Sequence, residues 1–552
     1  MKKKIVIYQV LPRLFGNTNK NCIPNSSYEI NGSGKMDNFT KEILKSIHSL
    51  GCTHIWYTGV VEHATKCGFP LFSIAANHPS IVKGNAGSPY SITDYYDISP
   101  LLSLDISKRV DEFKALVSRS HECNLKVLID FVPNHLSREY KSDSKPKGVE
   151  DFGEKDSKNY PFHPMNNFYY LQGSAFISPI EDTSSGIFME EPAKATGNDC
   201  FNPRPSLNDW FETVKLNYGI DYSDEKKEHF YPIPDTWIKM EEILIYWLQT
   251  GVDGFRCDMA GMVPVDFWRW VIARIKERFT DAIFIGEIYE PYRYSDYFNE
   301  AGFDYLYDKV GLYDTLRAVV RNETGAGAIS KCWQLLGHNE ERMLNFLENH
   351  DEQRVASDFF AGDPFKAIPA LVVSLMLNSS AFMIYFGQEL GERGMDTEGY
   401  SEADGRTSIF DFWSVKTVRE WLTGESKFEI RELYSKLLNI ALKESAINSG
   451  EKYDLQYANS GSESYNPDHL FSFIRKSEES FILAVVNFSN RYYNAGVKIP
   501  SEAFRHLNLR DGFVYTGVNL LTNDKGEFYL CSDKNIEVEI GEYGAYLVKF
   551  SL

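Results

Sequence analysis

The chain contains no Cys-x-x-Cys pair. Its eight cysteines, Cys22, Cys52, Cys67, Cys123, Cys200, Cys257, Cys332 and Cys531, stand singly. Neither a zinc-ligand run nor a disulfide framework is therefore encoded, and buried or incidental thiols suit a reducing compartment. Positive charge is also short: 58 Lys and Arg against 77 Asp and Glu leave a net charge of −19. Nucleic acid and an anionic membrane surface both need a basic face, so neither is an expected partner, and a neutral ligand fits better. No uninterrupted apolar run is long enough for a bilayer. Residues 367–387 come nearest, but Pro369 sits inside them and Asn378-Ser379-Ser380 breaks them, which predicts a helix–turn–strand unit. The basic start Met1-Lys2-Lys3-Lys4 precedes an apolar stretch that is short, holds Tyr8 and Gln9, and runs into Pro12-Arg13 without a small-residue cleavage site. That is not the build of a leader peptide. The stretch reads as a buried first strand, and a cytoplasmic protein is expected. No internal repeat or low-complexity tract stands out, and oligomeric state is not legible.

What the sequence does hold is length and alternation. At 552 residues it exceeds one ordinary core, so two or three domains are expected. Short apolar runs at residues 5–11, 53–57, 126–131, 254–258, 282–287, 303–307, 343–348 and 381–386 read as strands. Amphipathic segments at 38–50, 107–123, 235–250 and 265–279 lie between them. Apolar strands alternating with helices mean a parallel sheet covered on both faces, and eight such units predict an α/β fold of the closed (β/α)8 TIM-barrel type. Two regions break the rhythm. Residues 136–234 are rich in Pro, Gly, Asn, Tyr and charge without clean periodicity, and read as an irregular subdomain inserted after the third strand. After residue 447 short alternating strands at 470–475, 481–487, 496–499, 535–540 and 545–550 predict a C-terminal antiparallel β-sandwich. The expected division is 1–135 and 235–446 for the barrel, 136–234 for the insertion and 447–552 for the sandwich.

Catalytic groups of such barrels sit at the C-terminal ends of the strands. Here the third strand ends Asp130-Phe131-Val132-Pro133-Asn134-His135 and the fourth ends Gly254-Phe255-Arg256-Cys257-Asp258. The fifth ends Ile285-Gly286-Glu287 and the seventh Leu347-Glu348-Asn349-His350-Asp351. Charge directly after a buried apolar run is costly unless paired or used. One such end reads as a strand-end ion pair; four on one rim point to a site.

DFVPNH, GFRCD, GE and NHD, in this order, resemble the four conserved regions of the α-amylase family, glycoside hydrolase family 13, and the resemblance runs from Tyr8 to about Phe412 plus the C-terminal sandwich. Tyr90-Ser91-Ile92-Thr93-Asp94-Tyr95 is similar to the family's YxxxDY run. The resemblance implies a retaining glycosidase acting on α-linked glucose chains. Asp258 would be the nucleophile, Glu287 the general acid and then base, and Asp351 the third carboxylate, binding ring hydroxyls. It implies Tyr90 as a stacking platform and His135 and His350 as donors to sugar hydroxyls. Two carboxyl groups about 5–5.5 Å apart fit retention of configuration. Arg256, two residues before Asp258 on one strand, faces the same side and is expected to hold that carboxylate ionised. Arg354 is open between site and core, and Asn166-Asn167-Phe168-Tyr169-Tyr170 reads as core of the insertion rather than as sugar platforms.

Two departures matter. Asn134 matches a position that binds calcium in many members, but the usual LPDLD-like partner is not recognisable, Leu216–Asp221 being the nearest candidate. The chemistry itself requires no cofactor; a structural calcium is a weak expectation. Met259-Ala260-Gly261-Met262 stands where many α-amylases place a Lys-His pair. This leaves room for short maltooligosaccharides, α-1,6 links or glucosyl transfer beside the first reading, hydrolysis of α-1,4 bonds in maltooligosaccharides or starch-derived glucans. Transglycosylation or isomerisation through the same ester is the near alternative. A non-catalytic barrel, serving as an interaction module, would be expected to have lost the carboxylates, and this sequence keeps all three.

Overall fold

The computed structural model describes residues 4–182 and 184–552. The basic start Met1–Lys3 lies outside the described residues. Eight parallel strands close into a barrel: β1 (Val6–Val10), β2 (His54–Tyr57), β3 (Lys126–Phe131), β4 (Gly254–Cys257), β5 (Ile283–Gly286), β6 (Tyr305–Tyr307), β7 (Met343–Phe346) and β8 (Ala381–Tyr385). β1 closes the ring by pairing with both β2 and β8. The strands are buried nearly end to end, as sheets covered on both faces must be. The run 367–387 forms a helix (Ile368–Met376) and β8, joined by a turn at Asn378-Ser379-Ser380. No helix among the described residues is long and apolar enough to cross a membrane.

Helices α1 (Lys41–Leu50), α2 (Arg109–Glu122), α3 (Asp235–Gln249) and α4 (Val265–Arg278) cover the first half of the barrel. Each turns an apolar stripe inward, such as Leu44, Ile47 and Leu50 of α1. Thr40 caps α1 by accepting from the Ile43 N–H, and Gly51 ends it at φ 115°. A side chain at Gly51 would meet Leu438 Cβ at 2.6 Å, so the helix stop also allows the last barrel helix to pack closely.

The described residues between β3 and α3 carry only short strand pairs, such as His135–Ser137 with Thr213–Lys215. Phe168, Tyr169 and Tyr170 are 4%, 2% and 3% exposed; they are packing residues. At the C-terminus, six antiparallel strands run in the order β9 (Glu451–Asp454), β10 (Leu470–Lys476), β11 (Ser480–Asn487), β16 (Ala545–Ser551), β13 (Phe513–Asn519) and β14 (Lys525–Leu530). β12 (Tyr493–Val497) and β15 (Ile536–Ile540) form a second pair. Val497, Val538, Leu483 and Val548 share one core between the two sheets.

Candidate active site

The barrel register brings the strand-end charges together. Arg256 on β4 lies beside Asp130 on β3 and Ile285 on β5. The ladder continues one residue past the strands, with Asp258 N–H donating to Phe131 O at 2.8 Å and Glu287 N–H to Cys257 O at 3.2 Å. Since side chains alternate along a strand, Asp130, Arg256, Asp258 and Glu287 all turn to one side of the barrel mouth.

Arg256 is the hub. Nη1 donates to Asp258 Oδ1 at 2.5 Å and Nη2 lies 2.7 Å from Glu287 Oε2. Asp130 Oδ1 is 3.9 Å away and Tyr307 OH accepts from Nε at 3.2 Å. The rings of Trp56, Tyr90 and Tyr307 lie 5.4–5.5 Å from the guanidinium carbon, so cation–π attraction adds to the ion pairs. A guanidinium fork serves two carboxylates at fixed geometry, which an ammonium cannot do.

Glu287 has two further donors. The Met259 N–H reaches Oε2 at 2.7 Å and the Tyr289 hydroxyl reaches Oε1 at 2.5 Å. Met259 achieves this from a left-handed backbone, φ 42°, a conformation uncommon outside Gly, Asn and Asp. Asp258 and Glu287 are 5% and 4% exposed, yet both line a pocket of about 240 Å³ together with Asp351, Tyr90, His135 and His350. All seven residues expected from the sequence, Arg256 as hub beneath the other six, therefore meet in one place.

On the opposite wall His350 Nε2 lies 3.0 Å from Asp351 Oδ2 and 2.6 Å from the Tyr90 hydroxyl. Tyr90 stacks on the His350 ring at 5.2 Å and 27°. His135 Nε2 stands 4.0 Å from Asp258 Oδ2. Burial, with Lys215 and Lys83 nearby, lowers His135 to about 3, so it is neutral near pH 7. Burial alone would raise Asp351, but His350 and Arg256 outweigh it and hold that carboxyl at about 2.

One expectation is corrected. Arg256 does grip Asp258, but it does not keep the carboxyl low: burial, then the neighbouring Glu287, raise it to about 7 against the pull of Arg256. The physical reason is that one cation cannot offset the desolvation of several carboxylates. Asp130, Asp258 and Glu287 surround a single guanidinium, and this crowding together with burial is what lifts Asp258.

Arg354 points away from the pocket into the core, donating to Glu348 at 3.1 Å and Phe386 O at 2.7 Å. Asn134 meets both the expected segment and the residue just before it. Its Oδ1 accepts from Lys215 Nζ at 2.8 Å, and that ammonium lies 2.6 Å from Asp199 Oδ1. The pairing of Thr213–Lys215 with His135–Ser137 sets Lys215 there, and Leu216, the first residue of the expected Leu216–Asp221 segment, donates its N–H to Asn134 O at 2.9 Å. The side-chain oxygen that would ligate calcium is occupied by a fixed cation, and the residues present do not fit the metal. The sequence reading also missed Tyr289 and the Met259 N–H. Tyr289 stands two residues after Glu287, a spacing that returns an extended chain to the same face.

Comparison with known proteins bears on the family. A family model described as alpha amylase, catalytic domain, matches residues 9–436. Alpha-amylase 3 of Dictyoglomus thermophilum is 24% identical over 387 residues, 66% of this chain and 68% of that protein. An alpha-glucosidase of Apis mellifera is 22% identical, covering 92% of this chain and 89% of its own. The crystal structure of the noncanonic maltogenic alpha-amylase AmyB from Thermotoga neapolitana shares the fold, at a TM-score of 0.64 and 20% identity over 99% of both chains. With the family model spanning more than half of its length, the chain belongs to the α-amylase family of glycoside hydrolases.

Proposed function

We propose that this enzyme is a retaining glycosidase that hydrolyses α-glucosidic bonds, foremost α-1,4 bonds in maltooligosaccharides or starch-derived glucans. The single observation that carries the reading is Arg256 gripping Asp258 and Glu287 with its two terminal nitrogens at 2.5 and 2.7 Å. Two carboxyls within the span of one guanidinium suit the short separation of retaining pairs. In the first step an Asp258 oxygen bonds to the anomeric carbon as the C–O bond to the leaving sugar breaks. Glu287 gives its proton to that oxygen. In the second step Glu287 takes a proton from water, the water oxygen bonds to the anomeric carbon and the ester to Asp258 opens. Asp351 and His350 bind sugar hydroxyls, His135 donates from its neutral ring and Tyr90 packs against the ring face.

A pocket of about 240 Å³ is small beside the roughly 300–1,000 Å³ that encloses drug-sized ligands, which supports short-chain substrates. The proposal includes the division into barrel (1–135 and 235–446), insertion (136–234) and sandwich (447–552), and calcium independence, with Lys215 supplying the charge at Asn134. Chromatographed products from maltose, maltotriose, starch, pullulan, isomaltose, trehalose and sucrose test the reading. Shorter α-1,4 products from maltotriose support it; chains longer than the substrate move it to glucosyl transfer; no product from any α-glucan rejects it.

A further inference from the structure

A second cavity lies away from the catalytic pocket, where the barrel meets the C-terminal sheet. It measures about 560 Å³ against about 240 Å³ for the catalytic pocket, and the two share no lining residue. Its walls come from helix Ala328–Leu336, from β9 and from the short helix Gln456–Asn459.

Three aromatic side chains line it: Trp333, Tyr453 and Tyr457. Tyr457 is 59% exposed, while Trp333 and Tyr453 are half-buried. Their positions are fixed by polar contacts rather than left to solvent. The Tyr453 and Tyr457 hydroxyls are 2.7 Å apart, with their rings 6.4 Å apart at 52°. Asp454 accepts from Ser330 Oγ at 2.5 Å and from Trp333 Nε1 at 2.8 Å, tying the barrel helix to β9. On the wall Lys452 pairs with Glu340 at 2.5 Å, the His506 ring meets Glu451 at 2.7 Å, and Lys331 is exposed.

The chemistry of this wall selects its occupant. Lys452 Nζ lies over the Trp333 ring at 3.5 Å, so the exposed Tyr457 ring offers the flat apolar face, with hydroxyl and carboxylate groups beside it as hydrogen-bonding edges. A sugar ring presents the complement, C–H groups on its faces and hydroxyls around its rim. We propose that the groove between helix Ala328–Leu336 and β9 is a second, non-catalytic binding site for α-glucan chains, with Tyr457 as its exposed platform. The proposal rests on α-glucans being the substrate. A chain held there is tethered to the enzyme, which raises its effective concentration at the catalytic mouth.

Tyr457→Ala tests this without threatening the fold, because the ring is largely exposed. Wild type and variant are run through native gels containing amylose, and both are assayed on maltotriose and on soluble starch. The expected result is retarded wild type, about tenfold weaker retardation of the variant, a higher KM on starch and unchanged kcat/KM on maltotriose. Equal retardation of the two proteins, or no retardation of the wild type, would overturn the groove. Parallel loss on maltotriose would also overturn it, since the effect would then be structural. Wild type that cleaves neither substrate would sink the α-glucan reading itself, a failure visible without the variant.

Discussion

The Tyr289 hydroxyl donates to Glu287 Oε1 at 2.5 Å while the Met259 N–H donates to Oε2 at 2.7 Å. The two bonds fix the Glu287 carboxyl in plane and direction before any substrate arrives. Preorganisation of this kind governs how well an acid meets its leaving oxygen.

Tyr289→Phe removes one of those bonds and leaves the ring. Its expected effect is about a tenfold fall in kcat on maltotriose, with a smaller fall on an aryl α-glucoside whose leaving group needs little protonation. Steady-state kinetics on both substrates checks this. Equal falls would mean that Tyr289 does not act through proton delivery.

Glu287→Gln carries the same logic further. The amide cannot supply a proton, so loss on natural glucosides is expected to be about 10²- to 10⁴-fold and far milder on the activated aryl glycoside. A common loss on the two would count against an acid at this position.

Lys215 gives a stability prediction. Its ammonium joins Asn134 at 2.8 Å to Asp199 at 2.6 Å, so the native fold needs no added cation there. A chelator is expected to leave the melting temperature unchanged. Lys215→Met leaves the buried Asn134 oxygen without its donor, at a cost of about 1–3 kcal/mol. Differential scanning calorimetry with and without chelator reads both, and a chelator-induced drop in the wild type would refute the assignment.

The raised Asp258 carboxyl predicts a pH dependence with a definite sign. Its folded value of about 7 lies above the ordinary value of 3.8, so the folded state binds the proton more tightly than the unfolded one. Stability from this group is present below pH 3.8 and is lost as pH rises towards 7. Asp258→Asn cannot titrate and escapes that loss. The variant's melting temperature relative to wild type is expected to climb between pH 4 and 7 and then level off, by about 1–3 °C. A difference that does not change across this range would mean that Asp258 is not raised.

The barrel was legible because its strands are near-continuous apolar runs, and each of β1 to β8 falls within or matches its expected segment. The carboxylates were legible because charge at the end of such a run stands out. Strands β13 and β14 were not read: the first alternates exposed Phe513 and Val514 with buried Tyr515, and Gly517 and Gly526 face one another across the pair. Weak burial leaves weak periodicity. Lys215 was missed because a lysine in a three-residue strand of an irregular segment looks like a solvated surface group, whereas it is 3% exposed. The pull of burial on Asp258 was missed because it depends on how many carboxylates share Arg256, and that number comes from barrel closure.

The central claim is that Asp258 becomes covalently bonded to the sugar. Incubation with a fluorinated glucosyl fluoride that forms the ester quickly and hydrolyses it slowly, followed by peptide mass mapping, tests it directly. The account predicts one added sugar per chain, located on the peptide containing Asp258. A sugar found on any other residue, or turnover of α-glucosides that releases the β-anomer first, would contradict it.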